Sequence, residues 1–147
     1  MLQKCSILKI AEVFFNEPTK NHYLTEISKK GKLSHTSTKK HLQELKKQLI
    51  ITESIEKKGS RKFPVFKAEI NEANYKNYKK VSNLLTLKIS NLTNFLKDNL
   101  MPKSIILFGS YSRGEDIEDS DIDLFLECKE EKLDLSKFEK KLNRTLF

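Results

Sequence analysis

The sequence predicts an α+β chain: a small helical module closed by a two-stranded ribbon, a long connecting helix, and a second module of strands and helices. Three observations carry this. Apolar residues recur at helical spacing through the first fifty positions and then give way to two β-prone runs. A second helical stripe fills residues 71–102. Beyond it a continuous apolar run, "SIILFG", leads into the crowded stretch "FGSYSRGEDIEDSDID", which opens another β-prone run.

Length and composition bound the reading. At 147 residues, 37% of them apolar, there is room for one ordinary domain or two small ones. Cys5 and Cys128 stand far apart with no C-x-x-C spacing, and the three histidines form no ligand pattern. That fits a reducing compartment and offers neither a disulfide framework nor a zinc site. No run approaches the roughly 18 to 20 apolar residues of a membrane span. The start, "MLQKCSILKIAEVFFNEPTK", carries Lys4, Lys9 and Glu12 where a signal peptide is uniformly apolar. The expectation is a soluble, cytoplasmic protein with no membrane partner.

The net charge of +8 is unevenly spread. Residues 1–70 hold 15 Lys and Arg against 7 Asp and Glu, residues 71–147 hold 13 of each, and residues 104–147 alone hold 7 against 11. A basic module joined to an acidic one implies two tasks, the first facing a polyanion.

In the basic half, "LQKCSILKIAEVFF" places Ile7, Ile10, Ala11 and Phe14 on one stripe, ended at Asn16-Glu-Pro18. "YLTEISKKG" gives a second short helix with Leu24 and Ile27 inward and Gly31 as its stop. "LSHTSTKKHLQELKKQLI" starts a third at Ser34, an N-cap residue, and keeps Thr38, Leu42, Leu45 and Leu49 at helical spacing. "IITESIE" and "KFPVFKAEI" are then two strands around the basic turn "KKGSRK". With Thr38, Leu42 and Leu45 inward, His35, Thr36, Lys39, Lys40 and Gln43 share the opposite face of the third helix. Short hydroxyls and an amide suit base edges there, and lysines suit phosphates. Lys57, Lys58, Arg61 and Lys62, around Gly59, would reach the flanking backbone or minor groove of double-stranded DNA. The plainer reading is a solvated lysine-rich surface. Three helices followed by a two-stranded ribbon resembles the winged helix-turn-helix family over about residues 3–70, which sets the first domain at 1–70.

Residues 71–102 read as one long connecting helix, with Tyr78, Val81, Leu85, Ile89, Leu92 and Leu96 spaced by threes and fours and a stop at Asn99 and Pro102. Such a stripe needs a partner, either the chain's own modules or a second copy in a homodimer. No internal repeat or low-complexity tract is present.

"SIILFG" reads as a buried strand that delivers Gly109-Ser110 into a turn. The chain bends again at Gly114, and "DIDLFLE" is a second strand. Side chains two apart on a strand share a face, so Asp121 and Asp123 project together while Ile122 and Leu124 turn inward. Two adjacent carboxylates repel unless a cation lies between them. Mg²⁺ suits the pair, being a hard ion that takes few protein carboxylates and accepts phosphate oxygens. Gly109 has no side chain to obstruct a phosphate, so the Gly-Ser backbone and hydroxyl can approach one.

Gly-Ser, ten residues, then Asp-x-Asp, here "GSYSRGEDIEDSDID", closely resembles the signature of the minimal nucleotidyltransferases of the DNA polymerase β superfamily. The likeness spans about residues 103–147. It implies a mixed sheet flanked by helices and Mg²⁺-dependent transfer of a nucleotidyl group, AMP from ATP in the first instance, to a protein or other acceptor. It also implies roles. Ser110 and the Gly109 backbone would hold triphosphate oxygens, Asp121 and Asp123 would bind metal, and Arg113 would neutralise phosphate or orient the acceptor. Each has a plainer reading: Ser110 as a helix cap, Arg113 paired with Glu115 or Asp116, the aspartates as a solvated strand end. Related minimal transferases act as antitoxins that adenylylate a HEPN-type toxin.

One departure from the family pattern stands out. Active members use a third carboxylate on a later strand, and here "TLF" reads as the start of that strand without an acid. Asp134 and Glu139 lie on or beside an intervening helix, Leu135 to Leu142. The expectation is either a shortened chain or an impaired transferase that still holds Mg²⁺–nucleotide. Two functions follow: a DNA-tethered nucleotidyltransferase, or a winged-helix transcriptional regulator whose second domain only binds nucleotide or a partner.

Overall fold

The structure, a computed structural model, describes residues 5–147. Residues 1–4, with which the expected first module and its helical run from Leu2 begin, lie outside the described residues. The chain divides into two compact units, Met1–Lys76 and Asn77–Phe147.

In the first unit, α1 (Ser6–Asn16) buries Ile10, Ala11 and Phe14 as its stripe predicts, and Val13 and Phe15 as well, so its inward face is wider than expected. A two-residue strand, β1 (His22–Tyr23), precedes α2 (Leu24–Gly31). Sequence reading assigns Tyr23 to the helix, because two residues are too few to show an alternation. Gly31 is not the left-handed stop it resembles. Lys32 takes that conformation, with φ 53°, whereas a Cβ on Gly31 would lie 2.5 Å from Ile10 Cδ1, so Gly31 lets α2 approach α1.

The third helix, α3 (His35–Lys47), is capped as predicted: the Ser34 hydroxyl accepts from the Ser37 N–H at 3.2 Å. Thr38, Leu42 and Leu45 are buried. Leu49 departs from the expected stripe. The helix has ended, Leu49 takes φ 57° and is 57% exposed, and Ile50 and Ile51 occupy the core instead. Next, β2 (Ile51–Lys58) and β3 (Arg61–Ala68) pair antiparallel with Lys58 opposite Arg61. Gly59 supplies φ 62° in their two-residue turn, the positive angle that such hairpins demand. His22 opposite Phe66 adds β1 to the other edge, for a sheet order β1-β3-β2. Phe14, Ile27, Leu42, Leu45, Ile51 and Phe66 form the centre of the core, each worth about 1.5–3 kcal/mol of burial.

One polar cluster fastens the α1–α2 connection. Lys20 donates to Glu17 at 2.6 Å, Lys30 bonds both Glu17 and Glu26, and His22 lies against the Glu17 carbonyl and Glu26. The Lys20 and Lys30 ammonium groups hold the Glu17 carboxyl down to about 2. A carboxylate depressed in the folded state contributes stability at pH above its ordinary value of 4.5, and this is lost as pH falls toward about 2. Glu17→Gln is therefore expected to flatten the acid limb of thermal stability in that window. An acid limb as steep as the parent's would contradict the assignment.

The second unit begins inside α4 (Ala73–Ser90), which α5 (Leu92–Leu100) follows. The single helix expected over 71–102 is thus two. Asn91 takes the left-handed conformation at φ 67°, and the Ser90 hydroxyl accepts from the Leu92 N–H at 3.2 Å. The predicted stripe holds for Leu92 and Leu96, which are buried, and fails for Tyr78, Val81 and Ile89, which are exposed. Within this unit α4 buries Lys79, Ser82, Asn83, Leu87 and Ser90, a largely polar face.

Strand β4 (Ile105–Phe108) pairs antiparallel with β5 (Asp123–Leu126), and α6 (Gly109–Arg113) and α7 (Ser136–Leu142) complete the unit. Leu87, Leu92, Leu96, Tyr111, Ile122 and Phe138 form its core. β4 is not fully buried: Ile106 and Phe108, with Phe125 across from them, face outward and are exposed, while Ile105 and Leu107 pack inward. Ile122 forms a parallel bridge to Leu146, so a third segment runs beside β5 where "TLF" predicts one.

Candidate functional site

The β4–β5 register determines the candidate site. Phe108 stands opposite Asp123, so the residue that follows the strand, Gly109, arrives beside that carboxylate. Gly109 takes φ 71°, and a Cβ built there would run into the Asp123 carboxylate, 2.9 Å from its carbon and closer still to Oδ2. Conformation and space both require glycine here. The bend and the acid that sequence places fourteen residues apart are therefore in contact.

Ile122 is wholly buried between Asp121 and Asp123, and on an extended segment that turns both acids to the opposite, solvent-facing side. Among the described residues, no hydrogen bond or ion pair engages either carboxylate. Two like charges on one face without a protein cation are groups that could hold a hard divalent ion. The fit is incomplete in one respect. Asp134 accepts from the Ser136 N–H at 3.0 Å, and Glu139 accepts from the Leu146 N–H at 3.0 Å, so both of the helix-side acids serve local structure. In the segment beside β5, Thr145 and Phe147 alternate with the bridging Leu146, and neither is an acid.

Ser110 lies in the first turn of α6 and is half-buried; it is not a side-chain cap, since the N-cap position is Phe108. First-turn N–H groups lack intrahelical acceptors, which leaves the Gly109 and Ser110 amides available next to Asp123. Arg113 shows the plainer of its two readings: its Nε donates to Glu115 Oε2 at 2.7 Å, on the surface.

Asp116 does not join the aspartate pair. It is buried, with Asn83 Nδ2 donating to Oδ1 at 2.8 Å, Lys79 Nζ 3.3 Å from Oδ2, and Arg144 Nη2 3.5 Å from Oδ2. Lys79 also donates to the Asp116 carbonyl, and Asn83 donates to the Tyr111 carbonyl at 2.9 Å. Burial lowers the Lys79 ammonium from its ordinary value although Asp116 opposes the shift, and burial pushes the Tyr111 phenol up to about 12. Sequence reading misses Lys79, Asn83 and Arg144. Lys79 and Asn83 are four apart on a helix, a same-face spacing, but nothing in the chain marks that face as the inward one.

In the first unit the structure exposes every residue of the predicted basic face: His35, Thr36, Lys39, Lys40 and Gln43 on α3, and Lys57, Lys58, Arg61 and Lys62 on the hairpin. Lys58 is partly engaged, 4.5 Å from the centre of the Tyr23 ring and 3.7 Å from Glu56. Lys39 and Gln43 border a hollow with Leu24, Glu53, Pro64 and Phe66, so the helix face lies alongside the sheet. No helix among the described residues is long and apolar enough to cross a membrane.

Comparison with known proteins adds to the second unit. Residues 89–146 match the nucleotidyltransferase domain family. Two Methanocaldococcus jannaschii proteins provisionally named protein adenylyltransferases, MJ1379 and MJ1215, are 60% and 57% identical to this chain, each over 35 residues. Those stretches are 24% of this chain and 35% and 41% of the relatives, so the chain spans well under half the length of the curated relatives it matches. A solved structure from Methanosarcina mazei Go1, provisionally described as a transcriptional regulator, aligns at TM-score 0.45 and 18% identity over 66% of this chain and 79% of its own. The α+β chain thus carries, over residues 89–146, a stretch that matches a nucleotidyltransferase domain.

Proposed function

We propose that this protein is a DNA-tethered nucleotidyltransferase that moves AMP from ATP to an acceptor. The observation that carries the reading is the pair Asp121 and Asp123, unpartnered on one face, with Gly109 pressed against Asp123. In the reaction the acceptor's oxygen–hydrogen bond and the α–β phosphoanhydride bond break, an oxygen–α-phosphorus bond forms, the hydroxyl proton passes to solvent, and pyrophosphate leaves. Asp121 and Asp123 would hold Mg²⁺, which polarises phosphate oxygens and offsets the charge of the departing pyrophosphate. The Gly109 and Ser110 amides, with the Ser110 hydroxyl, take triphosphate oxygens. Arg113 exchanges Glu115 for phosphate, a small cost for an exposed pair. The names of the relatives favour a protein acceptor, and the sequence resemblance offers a HEPN-type toxin as one such protein. Incubation with Mg²⁺ and ATP labelled at either the α- or the γ-phosphate tests the reaction class: label is expected on the acceptor from the α position only. Transfer from the γ position would contradict it.

A second reading, a regulator that binds Mg²⁺–ATP without turnover, is favoured by the local engagement of Asp134 and Glu139, which leaves two carboxylates at the site. Nucleotide binding without label transfer to any acceptor would select it.

For the first unit, a winged helix-turn-helix contacting double-stranded DNA is supported by the element order with its three-stranded sheet and by the exposed basic face. Lys39→Ala and Arg61→Ala are each expected to weaken DNA binding and to reduce the slope of log affinity against log salt by about one. A slope unchanged in both variants would reduce these residues to a solvated surface.

A further inference from the structure

Asp116 joins three separate parts of the second unit. Lys79 and Asn83 come from α4, Arg144 from the segment after α7, and Asp116 itself from the loop that follows α6. Asn83 has a second role: the same Nδ2 that bonds Asp116 also donates to the carbonyl of Tyr111, in the middle of α6. Lys79 likewise reaches both the side chain and the backbone carbonyl of Asp116. Two side chains one helical turn apart on α4 therefore grip the short helix that begins at Gly109 and the loop that leaves it. α6 has only five residues, too few to be stable by its own hydrogen bonds. Something outside it must fix where Gly109 and Ser110 stand relative to Asp123, and neither Asp121 nor Asp123 takes part in this network.

We infer that Asn83, Lys79 and Asp116 are positioning residues, a buried tether that holds the Gly109–Ser110 bend at the distance from Asp123 where one metal-bound triphosphate can meet both. The functional half of this inference rests on the nucleotidyltransferase reading; the tether itself does not.

The test uses the full chain and two variants. Asn83→Leu keeps the side chain's branched heavy-atom skeleton and removes both donated bonds. Lys79→Met/Asp116→Leu/Arg144→Met replaces all three buried charges together by apolar groups, a change that often leaves stability nearly intact; it serves if the first variant does not fold. Amide exchange followed by mass spectrometry is expected to accelerate over residues 109–116 by about tenfold or more while α1 to α3 stay protected. Calorimetry is expected to show Mg²⁺–ATP affinity reduced by about 10- to 100-fold, the range for lost supporting bonds around a site. Mn²⁺ affinity without nucleotide is expected to stay within about twofold, because Asp121 and Asp123 remain. Unchanged exchange over 109–116 in a folded variant would overturn the tether. Equal loss of Mn²⁺ and nucleotide affinity would overturn the positioning role in favour of general stability. Parent protein that binds no Mg²⁺–ATP would end the nucleotidyltransferase reading, and the exchange result would still decide the tether.

Discussion

Asp121→Ala and Asp123→Ala are each expected to lower Mg²⁺-dependent transfer of AMP from ATP by at least about 100-fold, the upper end of what losing an outer supporting group costs, since here a direct ligand is lost. The two variants should differ in stability. Asp121 is exposed and Asp123 is half-buried against Gly109. Removing either relieves like-charge repulsion on a face that offers no protein cation among the described residues, so the apo protein should unfold at the same temperature or higher. Activity falling while apo stability holds or rises is the expected pair of results. Transfer that persists in the doubly substituted protein, measured with α-labelled ATP, would remove these residues from the site.

Asp116→Ala should act in the opposite way, on stability first. Its carboxylate is 1% exposed and faces Lys79, which is 0% exposed, and Arg144, 9% exposed. Deleting one member of a buried charge network leaves the others uncompensated, at a cost of about 3–5 kcal/mol. A domain holds only about 5–15 kcal/mol in all, so the second unit should be close to unfolding. Burial already lowers the Lys79 ammonium, and without Asp116 it would fall further. Unfolded Lys79 then binds more protons than folded Lys79 between its folded value and 10.5, so stability rises with pH across that window. The deficit of Asp116→Ala relative to the parent should therefore narrow as pH is raised toward 10. Glu115→Ala should cost far less, the exposed pair with Arg113 being itself worth under about 1 kcal/mol. Similar losses in Asp116→Ala and Glu115→Ala would contradict the buried network.

The contrast between these two acids shows where sequence reading succeeds and where it stops. Asp121 and Asp123 are legible because a strand has a period of two and Ile122 between them is apolar; alternation alone turns the acids outward. The α3 face is legible for the same kind of reason, since Thr38, Leu42 and Leu45 repeat at helical spacing and leave His35, Lys39 and Gln43 outside. On α4 the same rule misleads. Tyr78, Val81 and Ile89 look like the buried stripe, yet the inward face is that of Lys79, Ser82 and Asn83. Periodicity assigns the apolar side to the core by default, and it has no means of seeing that a carboxylate from the loop 33 positions later satisfies an asparagine there. The break at Asn91 is hidden similarly, because asparagine is acceptable in a helix until its neighbours require a left-handed turn. β1 is too short to carry any pattern. The contact of Gly109 with Asp123 depends on strand register, which a spacing motif implies and cannot fix.

The central claim is that the Gly109–Ser110 bend and the Asp121/Asp123 pair meet one metal-bound triphosphate. Its most direct test is paramagnetic broadening of backbone amide signals by Mn²⁺ with ATP. Gly109, Ser110 and Ile122 are expected to broaden together at substoichiometric Mn²⁺–ATP, and the effect should vanish in Asp123→Ala. Broadening that leaves Gly109 and Ser110 sharp, or that survives Asp123→Ala, would contradict it.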